Sequence, residues 1–214
     1  MTVMNSPISL ADQRHHLIHG VSWDFYSQVL EAIGDGATRV TFSDASIEIM
    51  PPLPIHEHGK KAIGSLIDIL AVERGIEMAC FGSTTFRRED QEKGLEPDDC
   101  FYVENAARVL GMAVFDPDIY PSPDLAIEID VTRWSIPRQP IYAALGVPEL
   151  WRYQGGKLTV LPLAADGNYR PSPVSKAFPF LPMDVFESFI HRMETEMRTT
   201  VLREFQAWVR TIAD

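Results

Sequence analysis

The sequence lacks any long hydrophobic run and contains few cysteines, and both absences exclude classes of protein. No segment approaches the roughly 18 apolar residues that cross a bilayer, and no basic-then-apolar signal stands at the N-terminus. We therefore expect a cytoplasmic protein without a membrane partner. Its 2 cysteines, Cys80 and Cys100, cannot build a disulfide framework. They are interpreted as buried, reduced core residues, and a disulfide between them stays open as an alternative.

The chain is also short of positive charge. It has 19 lysine and arginine residues against 30 aspartate and glutamate residues, for a formal net charge of −11. This balance excludes a protein whose whole surface attracts phosphate groups. If the protein handles nucleic acid, a local basic patch or a bound metal ion has to provide the attraction.

Length and apolar content predict a single domain. The chain has 214 residues, of which 45% are hydrophobic, enough for a substantial core. No internal repeat or low-complexity segment is present. We expect one domain over residues 1–214, with a core of about residues 20–180 and C-terminal helices over about residues 183–212.

The clearest pattern lies in residues 123–132, which read PDLAIEIDVT. Apolar and mostly acidic positions alternate there: Leu125, Ile127, Ile129 and Val131 are separated by Asp124, Ala126, Glu128 and Asp130. Successive side chains of a β-strand point to opposite faces. The pattern therefore predicts a strand with one apolar face and one row of carboxylates.

The row of carboxylates has two interpretations. Acidic residues two positions apart on a strand lie about 6 to 7 Å from each other and repel. A hard divalent cation such as Mg²⁺, which takes oxygen ligands, would relieve this repulsion. Alternatively, the segment is a half-exposed edge strand whose acidic side chains face water. The alternation by itself favours neither.

Helices and strands alternate along the rest of the chain. Residues 1–19, which contain His15, His16 and His19, are expected to be a solvated segment. The remaining predictions are a helix from Ser22 to Gly34, a hairpin over 39–50, a helix with Glu57 in its first turn and its end at Gly75, a hairpin with its loop over 87–94, a short helix before Gly146 and a hairpin around 154–156. This order predicts an α/β (α+β) fold, a mixed sheet flanked by helices.

A second Pro-Asp pair precedes another strand-like segment. Pro97 and Asp98 stand before this segment as Pro123 and Asp124 stand before the central one. We predict that the two segments are neighbouring strands of one sheet, with Asp98 and Glu128 at the same end. Asp98 as a simple turn residue is the alternative.

The C-terminal tail carries a stripe of apolar residues at helical spacing. The stripe consists of Val185, Phe189, Met193, Met197, Val201, Phe205 and Trp208. It predicts one long helix or two broken ones. The stripe packs on the protein's own core or mediates self-association.

Three separated segments resemble the Uma family of restriction-endonuclease-like proteins. They are GSTTFRREDQEKGLEPDDCFYVENA, PDLAIEIDVT and IYAALGVPELWRY, in this order and with ordinary loop lengths. The resemblance covers nearly the whole chain. It implies the PD-(D/E)XK nuclease fold, here with an N-terminal helix and hairpin and a C-terminal helical tail. It also implies metal-dependent cleavage of phosphodiester bonds.

The resemblance implies roles for individual acidic residues. Glu57 is similar to the acid on the family's first core helix, Asp98 to its metal-binding aspartate and Glu128 to the glutamate of the motif's second half. Asp124 matches the Pro-Asp pair that opens this strand in the family. Where the family has a strand lysine, two residues after Glu128, this chain has Asp130.

Arg138 stands where relatives often carry a lysine, four residues before the helix tyrosine, here Tyr142. Arginine neutralises phosphate, but its pKa is too high for it to exchange a proton readily. We therefore expect Arg138 either to stabilise negative charge in the reaction or to hold a carboxylate through a two-pronged bond.

The predicted chemistry is metal-assisted hydrolysis of nucleic acid, with DNA as the first candidate substrate and a homodimer as the expected assembly. The resemblance implies one or two Mg²⁺ or Mn²⁺ ions that polarise the phosphodiester and activate a water. The candidate ligands are Asp98, Glu128, Glu57, Asp124 and Asp130. Arg138, Lys60 or Lys61 would stabilise the developing charge. The alternative, favoured by the missing lysine and the acidic net charge, is a catalytically inactive nuclease-fold module that serves protein association.

Overall fold

The computed structural model describes residues 16–34, 36, 38–51, 54–130 and 135–212, and the side chains of residues 54–56 lie outside this description. Its helices are α1 (Trp23–Ile33), α2 (Pro54–Arg74), α3 (Arg138–Leu145), α4 (Met183–Thr195) and α5 (Arg198–Val209). Its strands are β1 (His16–His19), β2 (Arg39–Ser43), β3 (Ser46–Met50), β4 (Ala79–Cys80), β5 (Phe86–Arg88), β6 (Lys93–Leu95), β7 (Asp99–Tyr102), β8 (Leu125–Asp130), β9 (Glu149–Gln154) and β10 (Lys157–Pro162).

Within these residues the strands form two five-stranded sheets. The first has the order β1-β3-β2-β6-β5 and is antiparallel throughout. The second has the order β10-β9-β8-β7-β4 and is mixed, because β8 and β9 run parallel while its other pairs are antiparallel. The predicted neighbourhood of the two acidic strands is confirmed, since β7 pairs directly with β8.

Strand β8 is central in its sheet, and both of its faces are buried. Leu125, Ile127 and Ile129 pack in one core with α2, α4 and α5. Ala126 belongs to a second core on the opposite face, where α3 packs. The interpretation of this segment as an exposed edge strand is therefore wrong. Its carboxylates lie between packed layers, and their charges have to be compensated inside the protein.

Helix α2 comes close to β8 at its N-terminal end. A Cβ atom at Gly59 would lie 3.1 Å from Cγ2 of Ile129, which is tighter than ordinary contact. Glycine at this position therefore lets the first turns of α2, which carry Glu57, approach the C-terminal end of β8. The predicted end of this helix is confirmed, since α2 ends at Arg74, just before Gly75.

Most local predictions for the other elements are confirmed, but the hairpin loop predicted over 87–94 is shorter, because residues 87–88 and 93–94 belong to β5 and β6. Ser22 caps α1 through its hydroxyl, which accepts a hydrogen bond from the backbone of Phe25 at 3.2 Å. Two hairpins follow the predicted turns: β2–β3 turns through residues 44–45, and β9–β10 turns through Gly155 and Gly156, both with positive φ. Glycine tolerates this conformation because it has no Cβ.

The C-terminal tail consists of two helices, which pack on the protein's own core. α5 lies against α2, and α4 contacts α2 and β10. The apolar stripe is therefore largely covered by the same chain, except for Met197, which is exposed between the two helices. This packing removes the stripe as support for a homodimer. No helix within the described ranges has the length and apolar character to span a bilayer.

Two features of the structure differ from the sequence analysis. The side chains of His16–His19 are exposed, as expected of a solvated segment, but sequence analysis did not predict that these residues form edge strand β1, whose backbone pairs with β3. Residue His15 lies outside the described residues. The burial predicted for both cysteines holds for Cys100 and is wrong for Cys80, which lies on edge strand β4. Both thiols are free, which excludes the disulfide between them.

Candidate functional site

Asp98 and Glu128 lie side by side at the C-terminal end of β8. The register between β7 and β8 pairs Cys100 with Ala126 and Asp99 with Ile127, and its extension by one residue places Asp98 opposite Glu128. The backbone bonds agree: the amide of Asp98 donates to the carbonyl of Ile127 at 3.0 Å. Directly opposed residues on one sheet face have Cβ atoms about 4.5 to 5.5 Å apart. The structure thus brings the two acids together.

Asp98 is fully buried and has partners on both oxygens. Its Oδ2 accepts a hydrogen bond from the backbone N–H of Ile129 at 2.6 Å. Its Oδ1 forms an ion pair and hydrogen bond with Nη1 of Arg39, which is also buried. Arg39 comes from β2 of the other sheet, so this pair joins the two sheets at the candidate site.

Arg39 also connects Asp98 to Glu57. The second guanidinium nitrogen of Arg39 lies 3.9 Å from Oε1 of Glu57, whose side chain is 44% exposed. The three predicted acids therefore converge, with an arginine from the same chain between two of them. Sequence analysis missed Arg39. The alternation of polar Arg39, Thr41 and Ser43 with apolar residues on β2 was a usable signal for a polar face.

Glu128 is held by two residues of α3. Nε of Arg138 lies 3.0 Å from Oε1 of Glu128, and the hydroxyl of Tyr142 donates a hydrogen bond to the same oxygen. Positions four apart on a helix share a face, which explains how α3 presents both side chains to one carboxylate. Arg138 also donates to the backbone carbonyl of Glu96, and its guanidinium lies 5.9 Å from the ring centroid of Tyr142.

The second carboxylate oxygen of Glu128 lacks such contacts. Oε2 is buried and has no hydrogen-bond partner among the described residues. Burial raises the pKa of Glu128 to about 7, Arg138 opposes this increase, and the neighbouring Asp98 adds to it. Burial alone would lower the pKa of Arg138, but the carboxylate of Glu128 raises it, so the arginine stays charged. Glu128 is thus a carboxylate with one anchored oxygen and one unbonded oxygen.

Asp124 lies far from this pair, whereas Asp130 lies beside Glu128. Asp124 precedes β8 at its other end, roughly 13 Å from Glu128 at the usual strand rise. Its carboxylate accepts hydrogen bonds from the backbone of Val103 and Asn105 and from the Asn105 amide, at 2.7, 2.9 and 2.6 Å. The structure therefore does not bring Asp124 to the other acids. Asp130 follows Glu128 on the same face and lines the cleft beside it.

Lys60 and Lys61 point away from the two central acids. Lys60 acts electrostatically on Asp99, and its Nζ would lie 3.7 Å from a Cβ placed on Gly82. Lys61 lines a separate pocket together with Glu57 and Arg198. Neither lysine has a described contact with Asp98 or Glu128. Among the described residues, Arg39 and Arg138 are the cations in ion-pair contact with these acids.

Sequence analysis also missed the buried carboxylate of Glu48. Glu48 on β3 is 1% exposed, and its Oε1 accepts a hydrogen bond from the backbone of Ser135 at 2.8 Å. It stands across from Thr41 in the β2–β3 hairpin. Its position fits a structural role, since it ties the first sheet to the segment that enters α3.

A metal ion has a chemically suitable but incomplete donor set here. Carboxylate oxygens are the ligands that Mg²⁺ and Mn²⁺ prefer, and Oε2 of Glu128 is a buried oxygen without a hydrogen bond. Among the described residues, however, no group of three His, Cys, Asp or Glu side chains has the geometry to hold an ion. Arg39 separates Glu57 from Asp98. The residues that fit a cation best are Asp98 and Glu128, with Glu57 as the third.

An open cleft of about 590 Å³ begins at Glu128. Its floor is the face of β8, β9 and β10, and its roof is the first turn of α3. The lining is half polar and half apolar: Glu128, Asp130, Pro137, Arg138, Gln139, Pro140, Tyr142, Leu150, Arg152, Gln154 and Leu161. This volume lies in the usual range for ligand sites.

The second sheet is mixed, has helices on both faces and holds two buried acids side by side at its centre, features expected of a restriction-endonuclease-like fold. Residues 23–194 match the profile of the Uma2 family, described as "Putative restriction endonuclease". The chain belongs to this family.

Comparison with solved structures finds a crystal structure described as a "putative nuclease belonging to DUF820", from Anabaena variabilis ATCC 29413. It is similar with a TM-score of 0.46 and 14% sequence identity, over 78% of this chain and 90% of that chain. None of the curated protein sequences matches this chain.

Proposed function

We propose that this protein is a metal-dependent nuclease that hydrolyses phosphodiester bonds, with DNA as its substrate. The observation that carries the proposal is the pairing of Asp98 with Glu128 across β7 and β8, next to an open cleft. Membership of the Uma2 family supports the same class of reaction. Burying two adjacent carboxylates costs free energy of folding, and such pairs of acids are typical of functional sites.

Asp98 and Glu128 would hold one Mg²⁺ or Mn²⁺ ion, and Glu57 would complete the set. Glu128 is prepared for this role, because Arg138 and Tyr142 fix one of its oxygens and leave Oε2 unbonded. When bound, such an ion polarises the phosphodiester and lowers the pKa of a coordinated water. The half-exposed side chain of Glu57 lies at the solvent side of the group.

Arg39 acts as the counter-ion of the acids in the metal-free protein. Its guanidinium contacts both Asp98 and Glu57, so it compensates the charge that a cation would otherwise neutralise. Cation binding then requires Arg39 to give up part of these contacts. Arg138 remains with Glu128 through Nε and donates through Nη2 to the carbonyl of Glu96, which supports the carboxylate-holding role with a single described contact to the carboxylate in place of the predicted two-pronged bond.

Thermal unfolding with and without metal tests the binding part of the proposal. A ligand that binds only the folded state raises Tm by mass action, so Mg²⁺ or Mn²⁺ should raise Tm of the wild type. Glu128→Gln should lose most of this gain. Asp124→Asn is the matched control, because it removes an equal charge from the other end of β8 and should keep the gain. An equal gain in wild type and Glu128→Gln means that the ion binds elsewhere.

Cleavage assays test the reaction. Wild-type protein with Mg²⁺ or Mn²⁺ should cleave duplex DNA, and single-stranded DNA and RNA are the comparison substrates. Chelation of the metal and Glu128→Gln should each abolish cleavage, whereas Asp124→Asn should leave it intact in the folded fraction. Cleavage that survives Glu128→Gln would assign the activity to other residues or to a contaminant.

A second candidate is a catalytically inactive nuclease fold that serves protein association. Its support is that arginines of the same chain already compensate Asp98 and Glu128. In addition, one loop segment exposes Leu110, Val114 and Ile119 to more than half of their surface, a feature of interaction sites. Absence of both metal-dependent stabilisation and cleavage in an otherwise folded wild-type protein would favour this candidate. Sedimentation analysis then measures whether the chain self-associates.

A further inference from the structure

We propose that Arg152 binds an internucleotide phosphate of the substrate, in the cleft beside Glu128. This inference rests on the proposed nuclease function and specifies how the substrate lies in the site. Arg152 is a binding and positioning residue here, distinct from the acids that would hold the metal.

The strand register places Arg152 in line with the two acids. β8 and β9 are parallel, and Glu128 is the register partner of Arg152. Together with Asp98, which lies opposite Glu128 on the other side, this gives a row across three neighbouring strands on one sheet face. Adjacent strands lie about 4.8 Å apart, so the three side chains start within about 10 Å of one another.

Arg152 differs from the other two arginines of the site in its contacts. Arg39 and Arg138 are buried and paired with carboxylates. Arg152 is only partly buried, and its side chain has neither a hydrogen bond nor an ion pair with any described residue. It lines the cleft. A guanidinium presents five donors in a planar fork that matches a phosphate. Its capacity for such a bond is therefore available in the described structure.

The rest of the cleft fits a nucleotide chain better than a free small anion. Gln139 and Gln154 bring amide groups to the walls, while Leu150 and Leu161 provide apolar surface beside Arg152. A phosphate requires the cation, and the attached sugar and base can use the amide and apolar surfaces. The cleft volume of about 590 Å³ exceeds the space that inorganic phosphate would fill.

Because the net charge is negative, each cation near the cleft contributes strongly to the attraction of a nucleic acid. With a formal net charge of −11, the surface as a whole repels a polyanion. Attraction has to come from a few placed cations, and the paired Arg39 and Arg138 contribute less because carboxylates compensate them. Loss of one unpaired arginine at the substrate should then weaken binding clearly.

Variants of Arg152 and of a matched surface arginine test the inference. The variants are Arg152→Gln, Arg152→Lys and the control Arg203→Gln, which removes the same charge from the exposed surface of α5. Binding of a labelled DNA duplex is measured by fluorescence anisotropy in Ca²⁺ over a range of salt concentrations. Cleavage in Mg²⁺ gives KM and kcat, and thermal unfolding checks that each variant is folded.

Arg152→Gln should raise KM and Kd roughly tenfold, the size expected for one lost charge-assisted bond. The slope of log K against log salt concentration should fall by about 0.9, as for one lost phosphate contact. Arg152→Lys should restore the slope and part of the affinity, and Arg203→Gln should match the wild type. The value of kcat should change little.

Three outcomes would overturn the inference. Equal binding by Arg152→Gln and Arg203→Gln would remove Arg152 from the substrate site while leaving the nuclease proposal intact. Reduced Tm and kcat with an unchanged salt slope would make Arg152 a structural residue. Inorganic phosphate that competes with the duplex at similar concentration would make the cleft a small-anion site. A folded wild type that neither binds nor cleaves nucleic acid would instead end both proposals.

Discussion

The two ends of strand β8 carry acids in opposite situations. At the start of the strand, Asp124 accepts three hydrogen bonds from Val103 and Asn105, and these bonds occupy both of its oxygens. At the other end, Glu128 has its anchored oxygen bound by Arg138 and Tyr142, while its second oxygen is buried without a hydrogen bond. Both acids are almost fully inaccessible to water.

This difference separates a structural acid from a candidate functional one. Asp124 accepts hydrogen bonds from the N–H groups of Val103 and Asn105 and thereby fixes the loop after β7, which is a sufficient structural role. Glu128 instead keeps an unsatisfied oxygen beside a second carboxylate, an arrangement that costs stability. Burial by itself therefore does not distinguish the two acids of β8, whereas the hydrogen bonds of their oxygens do.

The largest expected effect concerns the Arg39–Asp98 pair at the Glu128 end. Asp98→Ala leaves the buried guanidinium of Arg39 with the half-exposed Glu57, at 3.9 Å, as its remaining described counter-ion, which should cost about 3–5 kcal/mol of unfolding free energy. Urea denaturation measures this loss. The double variant Arg39→Met with Asp98→Leu is the control and should recover much of the stability. A loss below about 1 kcal/mol would place this pair with ordinary surface ion pairs.

The next effect is a pH dependence that only the Glu128 end should show. Because burial raises the pKa of Glu128 to about 7 in the folded protein, ionisation between about pH 4.5 and 7 favours the unfolded state. The stability contributed by protonated Glu128 is complete below about pH 4.5 and is lost as the pH rises through about 7.

The measurement is the difference in Tm between Glu128→Gln and the wild type across this range. As the pH rises, the unfolding free energy of the variant should increase relative to that of the wild type by up to about 3 kcal/mol, because Gln cannot ionise. The difference in Tm should increase with it. Asp124→Asn should show no such trend. A constant difference for Glu128→Gln would mean that Arg138 keeps Glu128 ionised throughout.

A smaller effect is expected from Arg138→Lys. Lysine keeps the charge but has no planar fork that could contact both Glu128 and the carbonyl of Glu96. The unfolding free energy of the variant should therefore be about 2 kcal/mol lower than that of the wild type. If Arg138 acts only as a fixed charge, Arg138→Lys should instead keep wild-type stability and cleavage. Denaturation and cleavage measured on the same preparations separate these roles.

The smallest effect is expected at the other end of the strand. Asp124→Asn replaces one oxygen that accepts hydrogen bonds from N–H groups with an amide that donates. This should lower the unfolding free energy by about 1–2 kcal/mol. Metal-dependent stabilisation should persist, because Asp124 is not part of the acid pair. Loss of that stabilisation in Asp124→Asn would break the comparison, since it would connect both ends of β8 to one site.

Local patterns of the sequence predicted most of the elements correctly. The alternation around Ile127, the cap at Ser22, the glycine turn at residues 155–156 and the helix end before Gly75 depend on neighbours within a few residues. The two Pro-Asp pairs also predicted correctly that the strand after Asp98 and the strand with Glu128 are neighbours. Strand β1 at His16–His19 was not predicted and the burial expected of Cys80 was wrong, because partners distant in the chain decide which edge a short segment joins.

The sequence by itself determined which residues could carry charge into the centre of the sheet, because the period of two is set by backbone geometry. It did not determine which of those charges would be satisfied. Arg39 reaches Asp98 across 59 positions of the sequence and Glu48 reaches Ser135 across 87, and no local pattern encodes such pairs. Only the tertiary structure decided that backbone and side-chain N–H groups bind both oxygens of Asp124, while Oε2 of Glu128 has no hydrogen-bond partner among the described residues. The reason is that packing between distant segments assigns the hydrogen-bond partners.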